Sequence, residues 1–407
     1  MTKTENHLQG KNIAVVGAGI IGACCAAHLT SCGAKVTVFD RAMPGMAGPS
    51  RGNAAHIAAS AFFPLAAPGI ILDALPMLLD ARAPLKMPLG QWLKLMPWLV
   101  SFMLNANKST YQRNVNALGE FNRSVHADTE QLYRLAGLSD HLQHDGALYV
   151  YESRGSLEKS HQEFATRQRF GFDCQPLSPE QIYELEPSLA KIFTGGYLIP
   201  QWMTVRDPQK IVGGLMDYCI RQGGQFLCEN ISGLSSSGHG VDIRFKNGNS
   251  AAFDQAIVAA GVGSKPLVKK QGQKKLLTAE RGYNLTYTQP GIALKRAVMF
   301  ADRGVVATRV DDGLRIGGWA ELVADDIPAN QGYFSRINDI ARELFPALTT
   351  AEHYPWMGAR PSTPDSLPVI ERSEADHNIV YAFGHGHLGL TQGATTAKKV
   401  AQLLLPG

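Results

Sequence analysis

The sequence predicts an α/β protein of two cores, one built on a parallel sheet with crossover helices and the other an α+β unit built on an antiparallel sheet. Three observations point there. Residues 12–39 read as a strand, an alanine-rich helix and a second strand. Strand and helix patterns return between 207 and 261. From 282 to 321 the chain alternates strands with tight turns, and a hairpin connection falls at Asp311-Asp312-Gly313. At 407 residues the chain exceeds what one core usually organises, and 45% hydrophobic with 18% charged residues is the composition of a folded globular protein.

Residues 12–16 are a β-branched run, 22–29 a helix and 35–39 the strand that completes a βαβ unit. Between about 84 and 168 strand signals fade and helical periodicity is clearest around 111–135, which predicts an inserted region. Asp207-Pro208 opens a helix reaching Arg221, Gly223-Gly224 break it, and short strands follow at 225–227 and 241–245. QAIVAAG at 255–261 reads as a buried strand entering a glycine turn. The last strand, 378–383, leads through GHGHLG into a helix over 390–405, and no segment repeats another.

Composition excludes several classes. The net charge of +4 is dispersed, with only a short cluster at Lys269, Lys270, Lys274 and Lys275, so nucleic acid is not an expected partner. The cysteines (Cys24, Cys25, Cys32, Cys174, Cys219 and Cys228) form no CxxC pair and fit a reducing cytoplasm. The polar opening MTKTENHLQGK does not read as a signal peptide. Residues 52–72 carry no Asp, Glu, Lys or Arg, but Pro64, Pro68 and Gly69 argue against a membrane span. Residues 85–104 mix apolar positions with Lys86, Lys94, Trp92 and Trp98. That stretch fits either a helix packed on its own protein or one lying peripherally on the inner face of the cell membrane.

Gly17-Ala18-Gly19-Ile20-Ile21-Gly22 follows a strand and opens a helix. The first glycine permits the sharp turn, the second lets a pyrophosphate approach the backbone, and the third lets helix and strand pack closely, with the helix N-terminus facing the anion. Asp40, ending the next strand and followed by Arg41, is placed to accept ribose hydroxyls. Together they predict a Rossmann-like dinucleotide cradle. After Asp40, residues 49–57 (PSRGNAAHI) are small and polar instead of another βα unit. Ser50, Arg51, Gly52, Asn53, Ala54 and Ala55 can therefore pass close to a large cofactor, with Arg51 available to a phosphate. Gly386, His387, Leu388, Gly389, Leu390 and Thr391 precede the final helix, where backbone N–H groups would face the negative charge of a reduced flavin. His385 and His387 are candidates for the site, each with an exposed loop histidine as its ordinary alternative. Arg360, in GARPSTPDSLP, is the candidate carboxylate clamp, since its planar fork would fix an amino acid's Cα–H toward one flavin face.

These pieces in this order resemble the D-amino-acid oxidase superfamily of flavoproteins, and more narrowly the bacterial D-amino-acid dehydrogenases. The resemblance rests on VVGAGIIG, GNAAHIAASAFFPLAAPG, IVAAGVGS, ERGYNLTY, RVDDGLRIGGWAEL, GARPSTPDSLPVI and GHGHLGLTQGA, and spans nearly the whole chain. It implies that Gly17 to Gly22, Asp40, residues 50–55, Ala260, Gly261 and residues 387–391 surround FAD, with Ile231 beside the adenine. It implies that Arg360 binds the substrate carboxylate, and adds Tyr283 as a second substrate-facing candidate. Two departures stand out. The acidic residue is usually glutamate, where this chain has Asp40, a residue that also serves NAD. No cysteine follows Cys228, so the FAD is expected to be noncovalent, a link through His56 remaining the alternative. NAAHI, FPLAAP and GHGHLGL are most similar to the branch that dehydrogenates cis-4-hydroxy-D-proline and related D-imino acids.

The expected organisation is a discontinuous FAD-binding domain from residues 1–84, 200–275 and 356–407, and a substrate domain from 85–199 and 276–355. The expected reaction is hydride transfer from Cα of a small D-amino or D-imino acid to flavin N5, giving an imine that yields a keto acid or a cyclic imine. A quinone, another carrier or oxygen would take the electrons. The rival readings are a sarcosine- or glycine-type oxidase that makes hydrogen peroxide, and a dinucleotide-binding sensor or assembly subunit without turnover.

Overall fold

The computed structural model describes residues 8–70, 85–86, 89–238, 240–324, 326–350 and 352–405. The N-terminal unit is a six-stranded sheet in the order Gln225–Cys228, Lys35–Asp40, Asn12–Val16, Gln255–Val258, Ile379–Phe383 and Val369–Arg372. The first five strands are parallel and Val369–Arg372 closes the edge antiparallel. Asn12–Val16 is buried at every position after the first, which is why it reads as an unbroken apolar run. Its alternate residues serve two cores. Ile13 and Val15 face the helices, while Ala14 and Val16 join Phe39, Leu234 and Ile243 under a three-stranded antiparallel sheet, Ile231–Ser236, Val241–Phe245 and Ser250–Phe253.

The helix Ile20–Ser31 is buried on almost all sides, between the helices Pro208–Arg221 and Gly389–Leu403. Its small residues allow this: a side chain on Gly393 would sit 2.9 Å from the sulfur of Cys24. Pro208–Arg221 starts as the sequence predicts, with Asp207 accepting from the backbone N–H groups of Gln209 (2.8 Å) and Lys210 (3.1 Å).

The second unit is a nine-stranded sheet. Its order is His353–Ser362, Thr278–Tyr287, Gly313–Val323, Val305–Val310, Ala297–Phe300, Ala147–Tyr151, Gly195–Ile199 and Gln175–Leu177, with Leu85–Lys86 alongside Gly313–Val323. The predicted hairpin at Asp311-Asp312-Gly313 is present, pairing Val310 with Gly313. Helix Gln331–Leu344 covers one face of this sheet through Tyr333, Ile337, Ile340 and Leu344. The other face turns toward the parallel-sheet unit.

The inserted region is less purely helical than expected, since Ala147–Tyr151 is a strand of the large sheet. Its helices Lys108–Asn122 and Val125–Ala136 pack on the final helix of the parallel-sheet unit. Gln392 donates to Asn122 (3.0 Å), and Thr395 (2.8 Å) and Lys398 (2.6 Å) hold Asp128. Their apolar faces, Val115, Leu118 and Leu132, complete the same core. Of the two apolar stretches weighed for membrane contact, residues 71–72 and 87–88 fall outside the described residues, as do residues 1–7 of the polar opening. Among the described residues, no helix is long and apolar enough to cross a membrane.

Candidate active site

Between the parallel-sheet unit and the free face of the large sheet lies a mainly apolar cavity of about 850 Å3. Its titratable lining, among the described residues, is His56, Tyr149, Glu280, Tyr283, Arg315, Arg360 and His387.

The wall from the parallel-sheet unit is built of backbone. Gly17, at φ +114, carries the chain from the strand toward the helix so closely past Ala259 and Ala260 that any side chain would clash with their backbone. A side chain on Gly22 would overlap the Gly17 carbonyl. Gly19 caps the helix without a side chain, and the neighbouring Ile20 N–H donates to Ser50 Oγ at 3.0 Å. Asp40 is already engaged, accepting from the N–H of Ala18 at 2.7 Å. These residues sit at the carboxyl ends of the parallel strands, where open α/β sheets bind dinucleotides. Asp40 is the register partner of Cys228, three residues before Ile231. Ala260 and Gly261 follow the strand Gln255–Val258. Bare glycine backbone, a helix end and an acidic side chain are what an adenine dinucleotide needs, so the residues present fit FAD.

Ile20, Ser50, Gly52, Asn53, Ala54 and residues 386–391 line the cavity itself. Gly17, Ala18, Gly19, Ile21, Gly22, Asp40, Arg41, Arg51, Ala55, Ile231, Ala260 and Gly261 do not. Arg51, expected to reach a phosphate, is exposed. The segment at 52–54 is held from across the cavity by side chains that sequence reasoning missed. Asn284 donates to the carbonyl of Gly52 (2.7 Å), Arg315 to that of Asn53 (2.8 Å) and Thr308 to that of Ala54 (3.1 Å). Asn53 then bonds the N–H of Ala55 at 2.7 Å, and Ala55 takes a left-handed φ of 61°. Gly52 is a glycine for a reason other than cofactor approach: the Trp356 indole lies over it and over Gly358.

The facing wall is built of side chains. On Thr278–Tyr287 the even-numbered residues Glu280 and Asn284 face the cavity, and on His353–Ser362 so do Trp356 and Arg360. Glu280 and Arg360 are direct cross-strand partners, and Arg360 Nη1 donates to Glu280 Oε1 at 3.0 Å. The guanidinium lies flat over Gly282, where any side chain would overlap it. Arg360 keeps 22% of its side chain accessible, whereas Glu280 keeps 5%. Nothing in the sequence around ERGY separates Glu280 from a surface acid; the signal needed was the register that sets it opposite Arg360.

Two expected site residues are corrected. Tyr283 borders the cavity, but strand alternation turns its ring to the helix-covered face, against Tyr333 and Phe334. Its hydroxyl donates to Glu321 at 2.7 Å and accepts from the N–H of Asn330 at 3.2 Å, so it does not face a substrate. His385 lies outside the main cavity, because the positive φ of Gly384 and Gly386 turns its ring back onto the final helix, where it meets Thr396 at 2.9 Å. Burial pushes its pKa down to about 3. His387 projects into the cavity, and burial lowers its pKa, Glu280 pulling it back up and Arg360 pushing it down. His56 also lines the cavity and its ring bonds Thr308 Oγ1, while burial, then the charge of Arg315, take it to about 3.

A parallel-sheet cradle facing a mainly apolar pocket with a partly accessible cation defines a dinucleotide-dependent oxidoreductase. Residues 12–403 match the DAO family, described as FAD dependent oxidoreductase, and the chain belongs to that family and uses FAD. It is 29% identical to a D-amino-acid oxidase of Bradyrhizobium diazoefficiens, covering 97% of this chain and 95% of that one. It is also 29% identical to a D-amino acid dehydrogenase of Xanthobacter autotrophicus, over 96% and 94% of the two chains. Among solved structures, glycine oxidase from Geobacillus kaustophilus superposes with a TM-score of 0.74 at 19% identity, covering 97% of this chain and 95% of that one. L-proline dehydrogenase from P. horikoshii gives a TM-score of 0.72 at 17% identity, over 97% and 93%. The mixed parallel and antiparallel fold expected from the sequence is thus the fold observed.

Proposed function

We propose that this chain dehydrogenates a small D-amino or D-imino acid, D-proline and its hydroxylated forms being the class to try first. One observation carries the reading: Arg360 presents a partly accessible guanidinium, held by Glu280 and against Gly282, in a mainly apolar cavity whose opposite wall carries residues 50–54 and 386–391, the segments expected to face FAD. A carboxylate seated on that fork places its Cα at a fixed distance from the other wall, which supplies the positional part of the rate enhancement. FAD, which residues 17–22, 50–55 and 386–391 would hold, would supply the acceptor for the hydride of Cα. The neighbouring His387 is neutral at pH 7 and so adds no competing positive charge, while the apolar walls at Tyr149, Trp202 and Leu322 keep water from the product imine. Noncovalent attachment of FAD fits the absence of any cysteine after Cys228.

The test is anaerobic reduction of the purified holoenzyme by a panel of D-, L- and N-alkyl amino acids. Rapid bleaching by small D-amino or D-imino acids is expected. Bleaching by L-amino acids alone would overturn the stereochemistry, and bleaching by none would favour a sensor without turnover. Peroxide release during aerobic turnover would identify an oxidase instead.

The exposed face of helix Trp92–Asn105 supports a lipid-borne quinone as electron acceptor. Leu93 is 88% and Leu104 71% exposed, while Met96, Phe102 and Met103 of the same helix line the cavity. Co-sedimentation with anionic vesicles is expected, and substituting Leu93 and Leu104 by Ser should abolish it.

A further inference from the structure

Among the described residues, the Glu280–Arg360 pair differs from two carboxylates that serve as structural anchors. Glu152 grips Arg303 with both oxygens, at 2.6 Å to Nε and 2.9 Å to Nη2, as a bidentate anchor does. The buried carboxylate of Glu186 is also filled on both oxygens, by the N–H groups of Lys295 (3.1 Å) and Arg296 (3.0 Å). Glu280 instead meets Arg360 through a single oxygen, and its Oε2, although buried, has no hydrogen-bond partner. A carboxylate held only to steady a guanidinium has no reason to leave an oxygen bare in an apolar cavity.

We infer that Glu280 receives the α-ammonium group of the substrate, so that the Glu280–Arg360 pair reads both ends of an amino-acid zwitterion, and that the proton the nitrogen must lose before hydride leaves Cα passes to Glu280 Oε2. The inference rests on the proposed role of Arg360 and deepens it. The charges match: a minus and plus pair fixed across two strands meets a ligand carrying plus and minus on adjacent carbons, and no net charge is buried on binding. An ammonium group has three donors, and the bare Oε2 lacks one. Arg360 keeps Nη2 and Nε, stacked over Gly282, for the carboxylate. Glu280 is therefore the specificity residue that prefers an amino acid to a plain or 2-hydroxy acid of the same shape, because only the amine supplies a charged donor.

The experiment compares wild-type and E280Q holoenzymes. Its probes are the amino acid that reduces the flavin fastest and the carboxylate lacking its amine, cyclopentanecarboxylate for D-proline or propionate for D-alanine. The apparent Kd of the amino acid comes from the concentration dependence of anaerobic reduction, and that of the carboxylate from perturbation of the flavin spectrum. E280Q should weaken the amino acid at least about tenfold and leave the carboxylate unchanged or tighter, since Arg360 loses a competitor. Equal weakening of both would show that Glu280 only holds Arg360 in place, and no change in either would remove it from recognition; both results overturn the inference. If E280Q does not hold flavin, E280D keeps the charge one methylene further back and should weaken the amino acid selectively by a smaller factor. R360K separates the two readings: if it leaves carboxylate binding untouched, the clamp itself fails whatever Glu280 does.

Discussion

The two walls of the cavity are made of different material. The wall from the parallel-sheet side offers mainly backbone, through Gly52, Ala54 and the glycine-rich turn before the final helix, with Gly17 and Gly19 behind it and His56 and His387 as its titratable side chains. The wall from the antiparallel sheet offers side chains on a rigid lattice, through Glu280, Arg315 and Arg360. In the proposed reading the first would hold FAD and the second would meet the substrate. Substitutions on the two walls should therefore fail in different ways.

The largest effect is expected from Gly22→Ala, whose added carbon overlaps the Gly17 carbonyl. It should cost about 3 kcal/mol or more and yield protein without flavin, read from the flavin-to-protein absorbance ratio and a thermal melt. Flavin retained at full occupancy would break the comparison from the cofactor side. Next comes Arg360→Lys, which keeps the charge but removes the fork. A fall in kcat/KM on the order of a hundredfold is expected with flavin content unchanged; an unchanged kcat/KM would move the substrate site elsewhere. Gly282→Ala is subtler, displacing the guanidinium while leaving every charge in place. A fall of roughly tenfold in kcat/KM is expected, and loss of flavin in this variant would show that the walls are not independent.

An effect of another kind, outside that ranking, concerns His385, which belongs to neither wall. Its pKa is about 3 in the folded chain against an ordinary 6.5, so the unfolded chain takes up its proton first as pH falls. Its contribution is complete above pH 6.5 and is withdrawn as the pH falls toward 3, at up to about 1.4 kcal/mol per pH unit. His56 contributes in the same direction. Denaturant melts between pH 7 and 4 should show this slope, flattened in His385→Gln; an identical slope in the variant would mean that His385 is already charged in the native state.

The backbone wall was far more legible in the sequence than the side-chain wall. Glycines needed for a turn or a close approach are local facts, so Gly17, Gly22 and the strand Asn12–Val16 could be read directly. Glu280 could not, because its meaning depends on a register that pairs it with a residue 80 positions away. Tyr283 was misplaced for the same reason: which face of Thr278–Tyr287 looks inward is decided by its neighbours in the sheet, not by the strand alone. The helices Lys108–Asn122 and Val125–Ala136 announced their periodicity but not their partner, since an amphipathic stripe does not say which apolar surface it will cover.

The three consecutive carbonyls of Gly52, Asn53 and Ala54, each taken by a different side chain of the large sheet, work as a latch between the units. The cofactor-facing loop cannot reach its final path until strands more than 200 residues later have paired. During synthesis residues 17–22 would emerge long before the latch has anything to close on, and the final helix that buries their helix emerges after it. Retained flavin in this protein is thus a gauge of the whole chain's assembly, and a segment ending before Asn284 should release its cofactor, because it lacks both the latch and the turn at 386–391.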